Sequence, residues 1–60
     1  MIVYYYEFDN DLVFKSDREN QKYFMKSRGG DETEIDINHK GLEKAFMHGD
    51  VITKIEYDQF

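Results

Sequence analysis

Sixty residues without a cysteine make at most one small domain, residues 1–60, since a chain this short buries only about 60% of the surface it exposes when unfolded. The absence of cysteine, with no paired-histidine motif, excludes a disulfide-stapled mini-protein and a structural zinc site. The net charge of −5 arises entirely after Gly30, where eight acids face three bases, which disfavours nucleic-acid backbones as partners and favours a basic protein surface.

Ile2 to Phe8 is β-branched and aromatic and reads as a strand. Alternation places Ile2, Tyr4, Tyr6 and Phe8 on one face and Val3, Tyr5 and Glu7 on the other; one face must cover the core, and the face of Val3 and Tyr5 is either a second packed face or an exposed surface for a partner. Asp9-Asn10-Asp11 is a turn signal leading into a second strand, Leu12 to Lys15. Ser16 to Gly30 supports two readings. Ser16 with Glu19 fits a helical capping box, whereas Gln21 to Lys26 fits a third strand. The strand is preferred, because Tyr23, Phe24 and Met25 are consecutive and do not share one narrow helical stripe. Gly29-Gly30 ends that element, and Asp31 to Glu34 reads as an acidic connection.

A helix is expected from about Asn38 to His48. Asp36 and Asn38 are both suitable N-caps, Leu42, Ala45 and Phe46 fall at helical spacing, and Gly49 suits a left-handed C′ position. Gly41 weakens its first turn. A last strand is expected from Val51 to Tyr57, which directs Leu42, Phe46, Val51 and Ile55 to one core. The expected fold class is therefore α+β, a small antiparallel or mixed sheet with one helix packed on it, in the order β-β-(β)-α-β. No internal repeat or second domain is visible.

Chemistry finds little purchase in this pattern. His39 and His48 are nine positions apart and fall on opposite sides of a helix. The acids Asp31, Glu32, Glu34 and Asp36 lack the central glycine and closing glutamate of a calcium loop, so they read as a solvated segment available to a basic partner. No catalytic residue, metal site or cofactor site is nominated, and a non-enzymatic protein is expected. No apolar run is long enough to cross a bilayer, and Met1-Ile2-Val3 leads into tyrosines rather than a signal-peptide core. The expected location is the cytoplasm.

Lys40-Gly41-Leu42-Glu43-Lys44-Ala45-Phe46, followed after a polar turn by Ile52, Ile55 and Glu56, resembles the Dmd-type antitoxins of T-even bacteriophages, most closely over the last third of the chain. The resemblance implies a phage protein, acting in the host cytoplasm, that binds a host endoribonuclease toxin of the RNase LS type and occludes the region where RNA would bind. A member of that family uses a tryptophan ahead of the helix and an asparagine near its start for toxin contact. This chain has no tryptophan and offers Asn38 and His39 at the helix start, so the expected partner-binding residues are Asn38 and His39 with the acids Asp31, Glu32, Glu34 and Asp36. The alternatives are an acidic DNA mimic that inhibits a host nuclease or CRISPR effector, and a small oligomerising structural module.

Overall fold

In the computed structural model, which describes residues 1–60 throughout, three six-residue strands run back and forth: β1 (Ile2–Glu7), β2 (Leu12–Asp17) and β3 (Lys22–Ser27). The same chemical device closes both hairpins. Glu7 accepts from the backbone N–H of Asn10 at 3.1 Å and from its side-chain amide at 2.6 Å. Asp17 accepts in the same way from Asn20, at 3.4 and 2.9 Å. Each turn ends on a left-handed residue, Asp11 at φ 53° and Gln21 at φ 55°. An acid three residues before an asparagine is thus a short local repetition shared by the two turns.

The segment Ser16 to Gly30 takes the strand alternative. β4 (Thr33–Ile35) then adds to β3, α1 (Lys40–His48) crosses the sheet, β5 (Asp50–Ile52) adds to β1, and α2 (Lys54–Asp58) closes the chain. The five strands are all antiparallel in the order β4-β3-β2-β1-β5, so the two three-residue strands form the edges.

Register sorts the side chains. Tyr5 lies opposite Phe14 and Phe14 opposite Met25, and Val3 lies opposite Ser16 and Ser16 opposite Tyr23, all on one face. α1 covers that face, with Leu42 and Ala45 fully buried against Phe14 and Tyr23 and with Tyr5, Leu12, Met25, Ile35 and Phe46 packed around them. The Phe46 ring meets Tyr5 edge-on at 5.3 Å. The other face, carrying Tyr4, Tyr6 and Val13, lies under α2 and the last residue: Tyr57 packs on Tyr4 at 5.0 Å and Phe60 on Tyr6 at 5.7 Å. The strand face with Val3 and Tyr5 is therefore the main core face, and the opposite face is packed as well. The molecule is a small α+β fold, a five-stranded antiparallel sheet with a helix packed on it, and its element order extends the expected one by an extra strand and a final helix.

Several expectations are corrected. The last strand stops at Ile52, because Thr53 and Glu56 form a reciprocal capping box: the Thr53 hydroxyl accepts from the Glu56 N–H at 3.1 Å, and the Glu56 carboxylate accepts from the Thr53 N–H at 2.9 Å. With the chain turned into α2, Tyr57 points inward while Ile55 is 68% exposed, and Val51 on the sheet edge is 70% exposed. Of the expected core, Leu42 is buried, Phe46 is half-buried, and Val51 and Ile55 lie outside it. Gly49 is not left-handed, its φ being −79°. Glycine is needed there for proximity, since a Cβ would lie 2.6 Å from the Ala45 carbonyl oxygen and 2.9 Å from that of Tyr6.

Candidate functional site: an acidic groove at the sheet edge

From Glu32 to Ile37 acids alternate with Thr33, Ile35 and Ile37, the two-residue period of a strand with one face turned inward. The structure makes β4 from the middle of this segment, where the sequence reading has a solvated connection. Ile35 pairs opposite Tyr23 and joins the core, while Glu34 sits opposite Phe24 on the other face. Beyond β4 the chain bends: the Asp36 carboxylate accepts from the Asn38 N–H at 2.8 Å, and the Asp36 carbonyl accepts from the His39 N–H at 3.0 Å. This geometry opens a groove of about 720 Å³ lined by Arg18, Gln21, Tyr23, Glu34, Ile35, Asp36 and Ile37.

The expected contact residues do not all converge. Glu34 and Asp36 line the groove, Asp31 is exposed, and Glu32 is committed elsewhere. Its carboxylate accepts from the Tyr57 hydroxyl at 2.8 Å and pairs with Lys15 at 3.0 Å. Burial acts to raise the Glu32 pKa, but the bonds from Tyr57 and Lys15 and the charges of Lys15 and Lys26 outweigh it, and the carboxyl lies below its ordinary value. Burial, then the bond to Glu32, pushes the Tyr57 hydroxyl up beyond the ordinary tyrosine range. Glu32 thus pins α2 to the sheet. No group of three or more His, Asp or Glu side chains comes together in an arrangement that would hold a metal ion.

The helix start is built differently from either expected cap. His39 is the N-cap residue, and its Nδ1 accepts from the Gly41 N–H at 3.0 Å, so the ring in this role carries its proton on Nε2. Asn38 is thereby left exposed and free of capping duty. Gly41, which sequence propensity marks as a weakness, makes room for the cap: a Cβ there would lie 3.0 Å from both the His39 ring and Phe14. His39 is half-buried against Phe14, their ring centroids 6.3 Å apart. Asn38 follows Ile37 directly, so the exposed part of the helix start adjoins the groove.

Sequence reasoning missed Arg18, Gln21, Tyr23, Ile35 and Ile37 as groove residues. The alternation around Asp36 was the available signal for the two isoleucines. Arg18 and Gln21 reach the site only because the turn between β2 and β3 lies near β4, a tertiary fact with no local signature. Comparisons with protein-family models, with curated proteins and with solved structures return no match.

Proposed function

We propose that this chain is an antitoxin-like inhibitor that acts by binding and not by catalysis, engaging a host endoribonuclease toxin and occluding the groove where RNA would lie. The observation that supports this reading best is the groove beside β4. Its apolar lining of Tyr23, Ile35 and Ile37 is accompanied by Glu34 and Asp36, neither of them in an ion pair, and Ile37 leads directly into the exposed Asn38. An apolar patch rimmed by unpaired carboxylates is chemically suited to a basic, RNA-binding protein surface. The resemblance of Lys40 to Phe46 to phage antitoxins implies contact residues in the same neighbourhood. A DNA mimic would instead present free carboxylates in rows, whereas Asp9, Asp11, Glu32 and Asp58 are each tied to Lys44, Arg28, Lys15 and Lys54.

The test is co-expression with RNase LS-type toxins, scored by growth rescue and co-purification. The parent chain should rescue growth. A combined Asn38→Ala and His39→Asn variant keeps a good capping residue and should stay folded while binding at least about tenfold more weakly, a loss of about 1.4 kcal/mol. Failure of the parent to bind any such toxin rules out the antitoxin reading.

A further inference from the structure

The two sheet edges differ in chemistry. β4 and β5 each carry one acid, but β4 lies in the run Asp31 to His39, which contains four acids and no lysine or arginine, whereas β5 carries an exposed valine and is followed by Thr53 and Lys54. β4 pairs only with β3, so its outer side has no strand partner. Unpaired edges attract further strands, and charge on or beside an edge decides which ones. A second copy of this chain docking edge to edge would bring Glu32, Glu34 and Asp36 against the same residues, and like charges facing across a ladder repel.

We infer that the β4 edge and its adjoining groove accept an extended basic segment of a partner protein as a sixth strand, with alternate arginine or lysine side chains meeting Glu34 and Asp36 and apolar ones entering beside Ile35 and Ile37. Strand addition draws affinity from main-chain hydrogen bonds and specificity from alternate side chains, and both halves are supplied here. β4 offers the backbone, and the groove offers polar and apolar positions in alternation. Arg18, also in the groove, has no ion-pair partner; its guanidinium lies 5.3 Å from the Phe46 ring. That contact holds the one cation of the groove against α1 and leaves the two carboxylates as the unpaired charges at the edge. This inference deepens the inhibitor reading by naming the shape and charge of what the partner inserts.

A capped peptide of about eight residues alternating arginine and valine is the probe, with glutamate replacing arginine in the control. Binding is followed by amide hydrogen exchange and NMR on the intact chain. The basic peptide should slow exchange at the β4 N–H groups that point away from β3 and shift the resonances of Tyr23 and Ile37, binding should weaken as salt rises, and the acidic control should not bind. Glu34→Lys combined with Asp36→Asn should weaken peptide binding at least tenfold with the melting temperature kept. No binding, or protection appearing at β5 instead of β4, overturns the inference. Growth rescue separates it from the antitoxin reading: rescue that survives the edge variant discards strand addition alone, whereas a parent that fails to rescue discards the toxin and leaves the peptide result to judge the edge.

Discussion

Asp11 shows how much one turn residue holds in so small a chain. It accepts from the Tyr6 hydroxyl at 2.8 Å and from Arg28 through Nε and Nη2, each at 2.9 Å. Arg28 in turn lies 4.2 Å from the Phe60 ring, and the Phe60 carbonyl accepts from the Gly29 N–H at 2.8 Å. The first hairpin, the end of β3 and the last residue are tied through a single carboxylate. The bonds from Arg28, then from Tyr6, outweigh desolvation and hold the Asp11 pKa at about 2. Unfolded, it returns to about 3.9. The folded value is the lower one, so the contribution is complete above about pH 4 and is lost as pH falls through about 2. Chemical denaturation from about pH 5 down to about pH 2 should therefore show stability falling. Asp11→Asn, which tolerates the left-handed backbone, should make that limb shallower. An equally steep limb in the variant would assign acid lability to other carboxylates.

At the scale of elements, burial outranks local pattern. Phe14→Ala, at the fully buried centre of the sheet, should cost about 3–5 kcal/mol, while Val51→Ala and Ile55→Ala should each stay within about 0.5 kcal/mol. Thermal melts of the three variants decide this, and equal losses would restore the core expected from sequence. The contrast explains which elements were legible. Strands β1 and β2 and the helix α1 were readable because their apolar periods are clean and bounded by turn residues. The Ser-x-x-Glu pattern, however, occurs as Ser16-Asp17-Arg18-Glu19 and again as Thr53-Lys54-Ile55-Glu56 with threonine in the first place. In the first, Ser16 is buried in the middle sheet strand and no helix forms; in the second, both reciprocal bonds are made. What separates them is tertiary. A helix at Ser16 would remove β2 and β3 from the sheet, whereas one at Thr53 lays Tyr57 onto Tyr4 and sacrifices only the edge positions of a strand. The groove was half legible for the same reason: Glu34 and Asp36 could be named from charge, but their neighbours Arg18 and Gln21 come from a distant turn.

For the molecule as a whole, most charged side chains of both signs are engaged internally, and the four acids left without a partner all lie after Gly30. Of eight lysines and arginines, Lys15, Arg28, Lys44 and Lys54 are in ion pairs with side chains, and Arg18 and Lys26 lie over aromatic rings at 5.3 and 4.7 Å. Lys22 and Lys40 are left without such a partner. Asp31, Glu34, Glu43 and Asp50 make neither an ion pair nor a side-chain hydrogen bond, so the acidity of the second half faces solvent. Such a field raises the encounter rate with a basic partner and is screened beyond about 8–10 Å at ordinary salt. Two kinds of carboxylate can therefore be told apart by experiment. Replacing Asp31, Glu34 and Asp36 together by Asn, Gln and Asn should slow association with the proposed toxin partner and flatten its salt dependence, with little change in melting temperature. Glu32→Gln should do the reverse, lowering stability by up to about 1 kcal/mol through the lost Lys15 pair while leaving the association rate nearly intact. Stopped-flow association at several ionic strengths, set beside thermal melts, reads both. If the triple variant associates as fast as the parent at low salt, the free acids of the β4 segment serve solubility alone, and steering toward the partner must come from Glu43 and Asp50.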